Sequence, residues 1–236
     1  MGILKRNIGP IANFFPPKKR PMANVPDVVL VQGFFTSPRS LESMVQHLEA
    51  QGQSCSIPSL GGLRGLWQTG RVARAGAALA TYVRGLPSDA RPWLIGHSIG
   101  GMIARHAVQF GDIGDRIGGL LTIGAPHRGT SSAAVGLVLG LGLLSRAPMD
   151  ITPFSGLVRR MNRAPWPTDL PLVSIVSRSD MLCRPRAGNA RAEGATMVRN
   201  IVLEKLGHTE LVRTDWVLDA IVRLMQDPNA PFHTAA

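Results

Sequence analysis

The stretch WLIGHSIGGM, residues 93 to 102, places Ser98 between two glycines in a G-x-S-x-G pattern. Serine alone is a weak nucleophile, and in acyl transfer it works with a histidine base that an acid orients. The bare pattern is a weak signal, but here an apolar run precedes the serine and a helical pattern follows it. A strand, a sharp turn and a helix together expose such a hydroxyl. The sequence therefore predicts Ser98 as a nucleophile instead of an ordinary turn serine.

A base for Ser98 follows by elimination among the six histidines. For this kind of turn the expected chain order is serine, acid, histidine. Five histidines are set aside because they precede the serine, lie on the helix behind it, come before most acids or lie in the terminal tail: His47, His97, His106, His127 and His233. We expect His127 to be a hydrogen-bonded turn residue. His208, directly after a predicted strand, remains as the base.

The acid is sought among the seven carboxylates between Ser98 and His208, which are Asp112, Asp115, Asp150, Asp169, Asp180, Glu193 and Glu204. Three of them enter strands from the amino end, namely Asp112, Asp115 and Asp169. Glu204 is expected inside a strand, and Asp150 and Glu193 in loops with nothing to fix them. Asp180 follows PLVSIVSRS at the carboxyl end of a strand, so we predict that it orients His208.

An acyl-transfer site also needs hydrogen-bond donors for the oxyanion. The Ile99 amide, at the start of the helix behind Ser98, is one predicted donor. The second is the Phe34 amide in the loop QGFFTSP, where Gly33 lets the backbone turn inward.

The elements that must position these groups alternate along the chain. Apolar strand patterns cover residues 26–33, 54–60, 92–96, 117–124, 171–177 and 196–206, and helical patterns lie between them. The last helical pattern carries Leu211, Leu218, Ile221, Val222 and Met225. Apolar strands separated by helices indicate a parallel sheet covered on both faces. We predict an α/β fold of about six mostly parallel strands, with the functional groups at their carboxyl ends.

The composition restricts the classes of protein to which the chain can belong. The chain has 236 residues, 44% of them hydrophobic and 17% charged, which indicates one globular core. Two cysteines, Cys55 and Cys183, form neither a disulfide framework nor a zinc motif. Five of the cations behind the net charge of +11 lie in a proline-containing basic arm, residues 1–24. No nucleic-acid module accompanies that arm, so no nucleic-acid partner is expected.

No signal peptide or spanning segment is recognised, because the apolar runs are short or broken by proline. We therefore expect a cytoplasmic protein or one at the periphery of a membrane.

The ordered blocks resemble an α/β-hydrolase of the bacterial lipase and esterase type, and also the GPI-inositol-deacylase-like lipases. The resemblance lies in VVLVQGFFTSPRSLESMVQHLEAQG, LIGHSIGGMIAR, LLTIGAPHRGT, SRSDMLCRP and GHTEL, over about residues 26 to 226. It implies a minimal α/β-hydrolase sheet. It also implies hydrolysis of carboxylic esters without a cofactor or a metal. It also implies the roles already given to Ser98, Asp180, His208, Phe34 and Ile99. Gln32-Gly33 stands where these lipases usually have His-Gly, a departure that concerns the oxyanion loop.

The domain boundaries are predicted as a basic arm at 1–24, a hydrolase domain at 25–227 and a tail at 228–236. Residues 128–168 are long for a connection between strands and are predicted as a lid insertion. A pair of helices packed over the sheet edge is the alternative. The residues expected to contact an acyl ester or lipid are Phe35, His97, Leu137, Val138 and Leu141. We also expect a preference for medium to long acyl chains and contact of the protein with the periphery of a membrane.

Two other functions fit the same residues. An acyltransferase or thioesterase would use the same acyl-enzyme with another acceptor. A catalytically inactive binding protein would keep only the scaffold. The sequence leaves the oligomeric state and the natural substrate open.

Overall fold

The computed structural model describes residues 25–33, 41–61, 71–130 and 147–232. Every neighbouring pair of strands in its sheet is parallel, and the strand order is β2-β1-β3-β4-β5-β6. The strands are β1 (Val28–Val31), β2 (Cys55–Ser56), β3 (Trp93–His97), β4 (Gly119–Ile123), β5 (Leu172–Ser177) and β6 (Val198–Leu203). The predicted α/β architecture with about six strands is confirmed.

Seven α-helices lie in the described part of the chain. They are α1 (Glu42–Ala50), α2 (Val72–Arg84), α3 (Ile99–Phe110), α4 (Ala147–Asp150), α5 (Gly156–Arg163), α6 (Pro185–Gly188) and α7 (Asp215–Gln226). Leu211, predicted in the last helix, lies instead in a separate 3₁₀ turn, Glu210–Val212. The strand predicted at 54–60 is only two residues long, and Pro58, which has no amide proton to donate to a ladder, follows it closely.

The four central strands of the sheet, β1, β3, β4 and β5, are buried on both faces because they are largely apolar at consecutive positions. Val28 and Leu30 pack with α1 and α7 on one face, whereas Val29 and Val31 pack with α2, α3 and α5 on the other. A strand buried on both faces reads as a continuous apolar run, as β1 does. The sheet therefore forms the middle of three layers, with helices on both faces.

Two glycines bring the start of α3 against the sheet. A Cβ on Gly96 would lie 2.5 Å from the Cα of Gly101, and one on Gly100 would overlap the carbonyl oxygen of Val31. The helix can therefore begin directly behind the end of β3. This close packing fixes the position of Ser98, the residue between the two elements.

The predicted lid at 128–168 is described only in part, since residues 131–146 lie outside the described ranges, as do 1–24 and 233–236. Its described portion contains α4 and α5. The Thr130 amide donates to the carbonyl of Ile151, which ties the turn between these helices to the end of β4. Within the described residues, no helix is long and apolar enough to cross a membrane.

Asp150 is placed differently from the prediction. It was expected in a loop with nothing to fix it, but it ends α4 and is only 8% exposed. Its carboxylate accepts a hydrogen bond from the Val72 amide at 3.1 Å and lies 3.4 Å from the Arg71 guanidinium. The prediction was wrong because a backbone amide 78 positions earlier in the chain supplies the anchor.

Candidate active site

Ser98 occupies a strained turn between β3 and α3. Its backbone has φ 56° and ψ −129°, a region that residues with a side chain rarely adopt. Its amide donates to the Ile123 carbonyl at 2.8 Å, so the turn is fastened to β4. His97 and Ile99 on either side are buried, whereas Ser98 is half-buried. The strain is thus localised at the one residue of this turn that solvent reaches.

Asp180 and His208 form a hydrogen-bonded pair. His208 Nδ1 lies 2.7 Å from Asp180 Oδ2, and the Asp180 side chain is fully buried. A carboxylate only accepts, so Nδ1 carries the proton and Nε2 is left as the acceptor. Asp180 Oδ1 accepts from the amides of Leu182 and Cys183, each at 2.8 Å. Both carboxylate oxygens are therefore held in place.

The pKa of Asp180 reflects this set of contacts. Burial by itself raises the pKa, but the hydrogen bond from His208, the electrostatic interaction with that residue and the two backbone amides together hold it below its ordinary value. The carboxylate thus stays ionised although no water reaches it.

Gly124 makes room for the pair. It follows β4 with φ +57°, and a Cβ there would lie 3.0 Å from His208 Nδ1 and 3.1 Å from Asp180 Oδ2. Any side chain would press on the hydrogen bond between them. In the sequence, the only signal for this residue is a glycine directly after an apolar run.

His97 connects the Ser98 turn to His208. The two histidine rings lie 4.7 Å apart between centroids, and His97 Nε2 is 3.2 Å from the carbonyl oxygen of His208. That oxygen can only accept, so Nε2 of His97 donates. Burial and the neighbouring His208 lower the pKa of His97 to about 3, which keeps the ring neutral. His97, expected to contact substrate, is 5% exposed and anchors the loop of the predicted base.

The groups predicted for catalysis lie at one edge of the sheet. Ser98, Asp180 and His208 follow β3, β5 and β6, all at the carboxyl ends of parallel strands. Ile99 is the first residue of α3, where helical amides have no acceptor within the helix. A Cβ on Gly33 would lie 3.2 Å from the Cβ of Ser98, so the end of β1 also reaches the serine. Five predicted site residues lie outside the described residues: Phe34, Phe35, Leu137, Val138 and Leu141.

A buried cation lies behind this edge. Arg105, on α3, is 0% exposed and donates to the Asn162 side chain at 3.1 Å and to the carbonyls of Met161 and Arg191 at 3.0 and 2.6 Å. Burial lowers its pKa to about 10, which still leaves it charged at neutral pH. Arg105 thereby joins α3 to α5, and no local pattern in the sequence indicates this link.

His127 extends the same network. Its Nε2 lies 2.8 Å from the Thr122 hydroxyl, and its carbonyl accepts from Asn162 at 3.1 Å. Burial, followed by the charge on Arg105, lowers its pKa well below the ordinary value. The expectation that His127 is a hydrogen-bonded turn residue agrees with these contacts.

Two further observations concern possible metal ligands and the thiol next to Asp180. In the described part of the chain, no cluster of three or more histidine, cysteine or acidic side chains could hold a metal ion. Cys183 is buried beside Asp180, and burial raises the pKa of its thiol well above the ordinary range. A thiol that stays protonated is inert as a nucleophile.

Comparison with known proteins agrees with this geometry at the level of the fold. A family profile for the PGAP1-like alpha/beta domain matches residues 77–136, from the middle of α2 to beyond β4. A search of curated proteins gave no match.

Among solved structures, the mature Bacillus licheniformis lipase BlEst2 is similar with 14% identity and a TM-score of 0.69, over 89% of this chain and 96% of that one. The Paleococcus ferrophilus monoacylglycerol lipase is similar with 20% identity and a TM-score of 0.61, over 85% and 95%. The naproxen esterase of Bacillus subtilis is similar with 13% identity and a TM-score of 0.61, over 85% and 84%. At these identities the likeness establishes a shared fold.

Proposed function

We propose that this chain, which has the α/β-hydrolase fold, is a serine hydrolase of carboxylic esters. The observation that carries the proposal is the strained Ser98 turn at the same sheet edge as the hydrogen-bonded pair of Asp180 and His208. Solved structures with this fold include enzymes named as lipases and esterases, which supports the same class of reaction.

In the first half of the proposed reaction, the Ser98 hydroxyl attacks the ester carbonyl carbon while its proton passes to Nε2 of His208. The proton on Nδ1 stays in the 2.7 Å hydrogen bond to Asp180, whose charge stabilises the imidazolium. The carbon–oxygen bond to the alcohol then breaks, and His208 returns the proton to the departing alkoxide. The products of this step are a free alcohol and an acyl group on Ser98.

The negative oxygen formed during attack needs amide donors. The amide of Ser98 is already used by the Ile123 carbonyl, which leaves the Ile99 amide as the next donor along the turn. We assign Ile99 as one donor and the Phe34 amide as the second. Losing one such donor typically costs about 3 kcal/mol of transition-state stabilisation.

In the second half, water attacks the acyl group and gives its proton to His208. Collapse of the intermediate releases the carboxylic acid and restores the Ser98 hydroxyl. His208 must therefore keep one orientation through two proton transfers. Two hydrogen bonds support that requirement: Nδ1 of His208 donates to Asp180, and the carbonyl of His208 accepts from His97.

We further propose an acyl ester or lipid substrate with a medium to long chain. Phe35, Leu137, Val138 and Leu141 are the side chains assigned to the acyl group.

The test is a series of p-nitrophenyl esters from acetate through butyrate and octanoate to palmitate, assayed on the native protein and on Ser98→Ala. We expect hydrolysis that increases beyond butyrate, and a loss of at least about a thousandfold in kcat for the variant. Thermal unfolding of both proteins verifies that the variant is folded.

Two results would count against the proposal. Equal activity of Ser98→Ala and the native protein would exclude Ser98 as the nucleophile. Preferential transfer of the acyl group to an added alcohol or thiol, measured by product analysis, would favour a transferase. A series that peaks at acetate would contradict only the assignment of chain length.

A further inference from the structure

A groove of about 700 Å³ lies between the first turn of α2 and the first turn of α5. Three arginines line it, Arg71, Arg74 and Arg160, together with the apolar side chains of Met149 and Leu157. A shallower depression lined by Arg159 and Arg163 continues from it. We call this surface, with its five arginines, the arginine groove.

The positive charge of the arginine groove is largely unneutralised. The carboxylate in its lining, Asp150, is buried and already accepts from the Val72 amide and from Arg71 at 3.4 Å. Arg74, Arg159 and Arg163 have no carboxylate partner among the described residues. A cluster of like charges opposes folding, so the contacts of the isolated chain do not explain why five arginines converge here.

The arginines of the groove differ from those that serve the fold. Arg105 and Arg199 each donate to backbone carbonyls of distant segments and thereby join elements. Arg74 and Arg159 are exposed and make no such contact in the described part of the chain. Their charge is directed to solvent, which is where an anionic partner would meet it.

Exposed apolar side chains border the same groove. Four large apolar side chains stand out as exposed on the described surface: Phe110, Met149, Phe154 and Met181. Met149 is 57% exposed and lines the groove, and Phe154 is 82% exposed in the turn next to Ser155, another lining residue. Phe110 lies under the Arg160 guanidinium at 4.8 Å. Cationic and apolar groups therefore share one face.

We propose that the arginine groove and Phe154 dock on an anionic phospholipid surface. Arginines that meet phosphate headgroups, beside an apolar residue that enters the acyl boundary, are the combination that binds a charged membrane. A soluble phosphate would use the arginines but would give Phe154 no reason to be exposed. Docking is independent of the proposed esterase activity.

The orientation that results is favourable for a lipid substrate. The turn before α5 lies near the carboxyl ends of the strands, since a Cβ on Gly129, shortly after β4, would lie 2.5 Å from Pro153. The first residue of α2 is joined to the same segment, because the Val72 amide donates to Asp150 at 3.1 Å. Ser98, Asp180 and His208 follow strands at that same edge. Docking through the groove brings this edge of the sheet towards the membrane.

The test is sedimentation of the full chain with sucrose-loaded vesicles of phosphatidylcholine, with or without phosphatidylglycerol at about 30 mol %. We expect at least about tenfold tighter binding to the anionic vesicles, and weaker binding when NaCl is raised from about 0.1 to about 0.5 M. The double variant Arg74→Gln with Arg159→Gln should weaken binding by about 30-fold, since each cation near such a surface contributes about 1 kcal/mol.

The matched control is Arg91→Gln with Arg223→Gln, which changes the net charge equally. Both residues are exposed near the amino ends of the strands, Arg91 just before β3 and Arg223 in the last turn of α7. This pair should bind within about twofold of the native chain. Every variant retains the basic arm at residues 1–24, and thermal unfolding verifies that each is folded.

The variant Phe154→Ser distinguishes binding to a membrane from binding of a free anion. On a membrane it should weaken binding by about tenfold, because the phenyl ring no longer enters the apolar boundary. Equal loss in the groove and control pairs would mean that net charge alone drives binding and would overturn the proposal. If Phe154→Ser leaves binding unchanged and inorganic phosphate at constant ionic strength displaces the protein, the ligand is a soluble phosphate. That result would also overturn the proposal.

Discussion

The hydrogen bond between Asp180 and His208 depends on the absence of a side chain at Gly124. A Cβ at this position would lie about as close to both partners as a hydrogen bond is long, 3.0 and 3.1 Å. The glycine also has φ +57°, which residues with side chains adopt only with strain. These two costs, one of space and one of backbone conformation, can be separated by mutation.

We predict that Gly124→Ala lowers kcat of the proposed reaction by about 10- to 100-fold, because misplacing the reacting groups by about 1 Å can cost about a hundredfold. The matched control is Gly52→Ala, in the turn after α1, which has φ +79° and no atom within 4 Å of a new Cβ. Both variants should lose about 1 kcal/mol of unfolding free energy, measured in urea, from the positive φ alone. Equal activity of the two variants would contradict the role given to Gly124.

At this scale the sequence predicts the residues whose chemistry is local. Ser98 follows from its turn, and Asp180 and His208 follow from chain order and from their positions after strands. Gly124 and the hydrogen bond from His97 to the carbonyl of His208 depend on how the ends of several strands meet in space. No local pattern contains that information.

Asp150 shows how one side chain can join two elements. It ends α4, but its carboxylate accepts from the Val72 amide at the first residue of α2, where helical amides need an outside acceptor. Arg71, the residue before α2, makes no side-chain cap of its own. Asp150 therefore caps a helix 78 positions away.

We predict that Asp150→Ala lowers the unfolding free energy by about 1–2 kcal/mol, measured by urea denaturation, because the Val72 amide is then buried without a partner. Asp115→Ala is the control, since Asp115 is exposed in a 3₁₀ turn. It should change stability by no more than about 0.5 kcal/mol. A loss for Asp150→Ala as small as that of the control would show that the contact contributes nothing.

The order of elements was predictable because apolar strands and amphipathic helices differ in period. The sequence was less informative where one contact decides the boundary. β2 pairs with β1 at only two positions, and Leu211 lies in a 3₁₀ turn that precedes α7. The anchoring of Asp150 was missed for the same reason, since its partner lies in a distant helix.

On the scale of the molecule, three of the described histidines are buried and held neutral. Burial is the largest cause for each: it lowers the pKa of His97 to about 3, that of His106 to about 4, and that of His127 well below the ordinary value. Neither ring nitrogen of His106 has a hydrogen-bond partner within the described residues. In the unfolded chain all three titrate near pH 6.5.

The sign of the effect follows from proton uptake. Between about pH 6.5 and pH 4 the unfolded chain binds protons at these positions and the native protein does not, so native stability falls as the pH falls. The slope has an upper limit of about 1.4 kcal/mol per pH unit for each histidine. Asp180 has a lowered pKa in the native protein. Its contribution to native stability is lost only at still lower pH, as its carboxylate takes up a proton.

We therefore predict that the unfolding free energy drops by a few kcal/mol between pH 7 and pH 5, measured by urea denaturation at each pH. His106→Gln should reduce that drop, because it removes one group that titrates only when unfolded. A native protein with the same stability at both pH values would contradict the burial of these three neutral rings.

The most direct test of the central claim is the site at which a fluorophosphonate reacts. We expect the folded protein to gain one adduct, located on Ser98 by mass spectrometry of peptides, and we expect no adduct on urea-denatured protein or on Ser98→Ala. An adduct on another residue, or equal labelling of folded and denatured protein, would contradict Ser98 as a nucleophile activated by His208 and Asp180.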